Sequence, residues 1–118
     1  MKVGIIRCQQ TEHLCAGTKD LRCAAEGKGA FEALGPCEVV GLVSCGGCPG
    51  KNAVSRAGIL VKAGAEAIAL ASCITLGLPM DFPCPHREKI LGCIRSRLGD
   101  SVTVLDHTHD ASGHSPKA

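Results

Sequence analysis

The chain has 118 residues, a formal charge of +2, two phenylalanines, no tryptophan or tyrosine, and nine cysteines. That is one domain's length, enough to bury roughly 65% of the unfolded surface around an aliphatic core. Scattered basic residues with no aromatics to stack on bases argue against nucleic acid as a partner, and the opening "MKVGIIRC", polar by Gln9, is too short for a signal peptide or a membrane span.

In chain order, the apolar run Val3–Ile6 predicts a first strand. Leu21, Ala24, Ala25, Phe31 and Leu34 can share a helical face, although Gly27 and Gly29 interrupt it. Val39–Val43 predicts a second strand, and Ala53, Ala57, Leu60, Val61 and Gly64 then form one helical stripe ending in a glycine. Ala67–Ala71 predicts a third strand, Ile90, Leu91, Ile94 and Leu98 a further helix stopped by Gly99, and Val102–Leu105 a fourth strand. The first three strands are nearly continuous apolar runs, which suits strands covered on both faces. The expected fold is α/β, a single-domain three-layer sandwich of flavodoxin- or Rossmann-like type. Its four-stranded parallel sheet is expected in the order 2-1-3-4, with strand one central and helices on both faces. Residues 1–110 are expected to form the domain and residues 111–118 a flexible tail.

Nine cysteines in a chain expected to be cytoplasmic point to metal or redox chemistry rather than to disulfides. A single cysteine is also a small hydrophobe that a core accepts. Their distribution is the stronger signal. Cys8 follows strand one, Cys45 and Cys48 follow strand two, Cys73 follows strand three, and His107 and His109 follow strand four. In an open parallel sheet those strand ends share one edge, where such folds build their sites. Cys48-Pro49 and Cys84-Pro85 each precede a predicted helix, and proline suits the first helical position. Each cysteine is then expected at the N-cap, where the helix dipole favours thiolate.

The segment "SCGGCPGKN" (Ser44 to Asn52) admits three chemistries. A phosphate loop fails, because Gly50 and Lys51 align with G-x-x-x-x-G-K-[ST] but Cys45 replaces its first glycine and Asn52 its hydroxyl residue. A redox dithiol needs only the Cys45/Cys48 pair, with its first cysteine exposed at a helix start. It leaves Cys8, Cys73, Cys84 and the histidines unexplained. A metal site uses them, since zinc takes four Cys and His ligands and an iron–sulfur cluster four thiolates. In "DHTHD" (Asp106 to Asp110) one histidine is a candidate ligand, oriented by Asp106 or Asp110. His13, His86 and His114 read as surface residues.

"RCQQT", "CAG", "VGLVSCGGCPGKN", "ALASC", "FPCPH" and the Thr108-His109 step together resemble the CGGC domain family, in order and over nearly the whole chain. The resemblance implies a metal-binding domain, with zinc suggested by the cysteines and histidines, and no established reaction. The matching positions are Cys8, Cys15, Cys45, Cys48, Cys73, Cys84 and His109. Cys15 is followed by Ala16 where the family more usually has proline. Cys23, Cys37 and Cys93 lie outside the motif and are expected to serve packing.

The leading expectation is therefore a protein holding zinc, or alternatively an iron–sulfur cluster, at the carboxyl edge of the sheet. A thiol–disulfide oxidoreductase using Cys45 and Cys48 is the second reading. A metal carrier or assembly partner, docking on an unspecified protein, is the third.

Overall fold

The computed structural model describes residues 1–7, 17–45, 51–75 and 86–108. Its strands are β1 (Lys2–Arg7), β2 (Glu38–Ser44), β3 (Ala67–Leu70) and β4 (Thr103–Leu105). The helices are α1 (Thr18–Glu26), α2 (Lys51–Lys62), the single turn α3 (Ser72–Thr75) and α4 (Arg87–Leu98). Short 3-10 turns span Gly29–Phe31 and Gly99–Ser101.

The sheet order is β2-β1-β3-β4 and every pairing is parallel, as the apolar runs predict. Burial follows from that order. In the central strands, Val3, Ile5 and Ile6 of β1 and all four residues of β3 are inaccessible to solvent. The edge strands β2 and β4 are only partly buried along their length. Each fully buried isoleucine contributes about 2–3 kcal/mol relative to exposure, so the sheet centre carries much of the stability.

Right-handed crossovers place α1 on one face and α2 and α4 on the other, because the chain runs one way from β1 to β2 and the opposite way from β2 to β3 and β4. On the second face, Leu60 of α2 lies over two glycines, Gly4 and Gly41, which are partners across β1 and β2. A Cβ on Gly4 would stand 2.8 Å from Leu60 Cβ, and one on Gly41 2.5 Å from Leu60 Cδ2. These glycines are what let the helix approach the sheet.

The helical stripes behave as their spacing predicts. Ala53, Ala57 and Leu60 are buried on α2, and Ile90 and Ile94 on α4, which ends at Gly99 with φ 68°. The first connection does not form one long helix. It stops at Gly27, in the left-handed conformation with φ 69°, and resumes as the 3-10 turn that buries Phe31. A side chain at Gly27 would meet the backbone of Gly35 and Pro36 at 2.6 Å, so the break is enforced by packing as well as by φ. Leu21, expected on the shared apolar face, is 37% exposed.

Two further expectations are corrected. Helix α4 takes His86 as its N-cap and begins at Arg87, so Cys84 is not that helix's cap. Cys93, expected to pack, is exposed on α4. Cys37 is buried and Cys23 packs against the core, as expected.

Candidate functional site at the carboxyl edge

The strand ends are level along this edge. Arg7 pairs with Ser44 and Ile6 with Leu70, and the hydrogen bonding runs one step further on both sides. Cys45 N–H donates to Arg7 O at 2.7 Å, and Ala71 N–H to Ile6 O at 2.8 Å. β1 lies where the crossover direction reverses, which is the position of the ligand crevice in open parallel sheets.

Of the predicted site residues, Cys45 is placed with its side chain: it is buried, 7% exposed, at the end of β2. The backbone of Cys73 forms the second position of α3, directly beyond β3. The Cys73 side chain and Cys8, Cys15, Cys48, Cys84 and His109 lie outside the described residues, as do Pro49 and Pro85, His13 and His114. Among the described residues no three His, Cys, Asp or Glu side chains form a metal-holding group.

The flanks of segment 46–50 are both tied down. On one side Cys45 bonds β1. On the other, Arg56 of α2 reaches back to β2, its Nη1 donating to Ser44 Oγ at 2.8 Å and to Ser44 O at 3.1 Å. The described chain on either side of residues 46–50 is thereby tied to the same strand end, through Cys45 before it and Arg56 after it.

The sequence reading missed a buried polar cluster on the same edge. Asp20 on the first turn of α1, Ser72 at the start of α3 and Thr108 after β4 are the buried polar or charged side chains among the described residues. Ser72 N–H donates to Thr108 Oγ1 at 3.1 Å, and Thr108 N–H donates to Ser72 Oγ at 3.2 Å. The Thr108 hydroxyl donates to Asp20 Oδ1. Thr108 O in turn accepts from Ala30 N–H at 3.1 Å. The first-turn N–H of α3, which has no acceptor within its own helix, is thus satisfied from another strand. A hydroxyl–carboxylate bond is among the stronger kinds, and it offsets part of the cost of burying Asp20. At the head of α1, a Cβ on Gly17 would lie 3.7 Å from Asp20 Oδ2 and 3.9 Å from Arg7 Nη1, so these two charged side chains converge there. The local signal available in advance was a serine ending an otherwise apolar run, "AIALAS". Nothing local linked it to Asp20 or Thr108.

Asp106 and His107 follow β4 as an adjacent pair, with His107 Nδ1 2.7 Å from Asp106 Oδ1. This is the orienting contact that the sequence suggests for one of its two neighbouring histidines. No described helix is long and apolar enough to cross a membrane.

The family model described as the CGGC domain matches residues 2–109. A protein of Methanocaldococcus jannaschii, named "Uncharacterized protein MJ0582", is 40% identical over 114 residues, covering 92% of this chain and 88% of its own length. No solved structure matches the chain.

Proposed function

The chain belongs to the CGGC domain family, and from that premise we propose that it is a metal-binding protein whose site lies at the carboxyl edge of the sheet. Its ligands are drawn from Cys8, Cys15, Cys45, Cys48, Cys73, Cys84 and His109. Zinc is the leading metal and an iron–sulfur cluster the alternative, since thiolate-rich sets with an imidazole suit either.

The observation that carries this reading is the burial of Cys45 at the strand end, beside the switch point, on a segment whose two flanks are tied to β1 and β2. A thiolate committed to a metal fits such a place. A thioredoxin-like dithiol needs its first cysteine partly exposed to attack a disulfide, and at 7% exposure Cys45 suits that role poorly. A metal bound here would supply folding free energy by joining loops that leave different strands.

The test is elemental analysis and an absorption spectrum of protein purified without oxygen. Stoichiometric zinc in a colourless protein supports the leading form, and a brown protein containing iron and sulfide supports the alternative. Metal-free protein in which Cys45 and Cys48 exchange disulfides would replace the reading with the oxidoreductase.

A further inference from the structure

Cys45 follows the last residue of β2, and β2 is an edge strand whose neighbour in the sheet is β1. A peptide unit is planar and trans, so the C=O of Ser44 and the N–H of Cys45, which share one, point in opposite directions. The N–H donates to Arg7 O of β1 at 2.7 Å. The C=O therefore points away from β1, toward the side where the sheet ends. Arg56 of α2 meets it there, its Nη1 donating to Ser44 O at 3.1 Å. The same Nη1 donates to Ser44 Oγ at 2.8 Å, so each of its two hydrogens has an acceptor.

One peptide plane is thus gripped from both sides, by a strand on one and by a helix on the other. An edge carbonyl does not need a helix for this, since water can satisfy it. Holding a long, half-buried side chain in one rotamer also costs conformational entropy. What the guanidinium adds, and water does not, is a fixed direction from a charged, planar donor. The residue whose main chain inherits that direction is Cys45, with its buried thiol.

We propose that Arg56 is a positioning residue of the metal site: it holds the Ser44–Cys45 peptide from the open side of β2 and so fixes how Cys45 presents its thiolate. The inference rests on the metal-binding reading and adds a residue that acts through the main chain rather than on the metal. Arg56 stands beside Ala57 on a helix whose Ala53, Ala57 and Leu60 are buried in the core, so the grip is anchored there. Groups that orient a ligand typically alter metal affinity by about ten- to a hundred-fold when removed.

The experiment titrates cobalt(II) into metal-stripped protein and follows the thiolate-to-cobalt and ligand-field absorption. Wild type, Arg56→Met and Arg56→Lys are compared at a temperature where circular dichroism shows each to be folded. Expected for Arg56→Met is roughly ten-fold weaker binding with a shifted ligand-field band. Arg56→Lys, which keeps a charged donor, should recover part of both. In a Cys45→Ser background, titrated at higher cobalt, Arg56→Met should weaken binding no further. If that background binds no cobalt, the band shift and its recovery in Arg56→Lys decide. If Arg56→Met does not fold, Arg56→Gln, polar but too short to reach Ser44, decides by the same titration. Wild-type affinity and spectrum in a folded Arg56 variant overturn the positioning role and leave the metal reading standing. An equal loss in the wild-type and Cys45→Ser backgrounds makes the grip merely structural and overturns it too. Wild type that takes cobalt into no thiolate coordination overturns the metal reading, and the inference with it.

Discussion

Cys37 and Cys45 stand at opposite ends of β2, and each is 7% exposed. Burial alone does not separate them; their surroundings do. At the amino edge, Cys37 donates its thiol to Gly35 O at 3.2 Å, and its N–H meets Ala24 O at 2.7 Å. The chain around it is closed by backbone bonds such as Glu38 N–H to Met1 O and Glu66 N–H to Lys2 O. At the carboxyl edge, Arg56 clamps Ser44, the neighbour of Cys45, and the same edge carries, beyond β3 and β4, a buried clasp of Ser72 and Thr108 bonded to the Asp20 carboxylate. One edge spends its polar groups on closing turns and the other concentrates them around the strand ends. The two cysteines thus differ in the polar groups of their edges and not in exposure.

The sharpest way to break this contrast is to change the two cysteines and measure bound metal. Cys45→Ser should lower metal content at least several-fold and lower the melting temperature with it, because ligand binding adds to folding free energy. Cys37→Ala should leave metal content unchanged and cost only about 1 kcal/mol in denaturant unfolding, a packing loss. Equal metal loss in both variants would erase the distinction between the edges.

Next in size is the clasp. Thr108→Val removes the donor to a buried carboxylate, and chemical denaturation should show a loss of about 2–3 kcal/mol. The middle of the sheet serves both edges, so damage there should be general. Gly4→Ala, whose new Cβ would meet Leu60 Cβ and Cγ, should destabilise by about 1–3 kcal/mol without changing metal stoichiometry. Gly41→Ala should cost less, because its conflict is with the movable end of the same leucine.

Smaller effects sharpen the picture at each border. Arg56→Met removes the clamp on Ser44 from a half-buried guanidinium, and urea unfolding should register about 1 kcal/mol. Cys93→Ser, exposed on α4, should change stability by no more than about 0.5 kcal/mol and leave metal content intact. A large effect of Cys93→Ser would mean that α4 reaches the site.

The strands and the two main helices were legible in advance because each depends on a local pattern, and the strand order followed from the rules for parallel crossovers. Continuous apolar runs such as Ala67–Leu70 suit strands covered on both faces, and stripes such as Ala53, Ala57 and Leu60 have room for only one buried face. Gly99 ends α4 for an equally local reason, its positive φ. The shared edge of Cys45 and Cys73 also followed from sequence alone, since parallel strands point their ends the same way. Other features needed the assembled molecule. The break at Gly27 depends on Gly35 and Pro36 packing against it, and the N-cap of α4 fell on His86 rather than on the Cys84-Pro85 step. The joining of Asp20, Ser72 and Thr108 spans as many as 88 residues and has no periodicity to announce it. Hydrophobic pattern determines which face a segment buries. Which polar groups meet beneath that face is decided only when the strands lie side by side and each buried donor must find an acceptor.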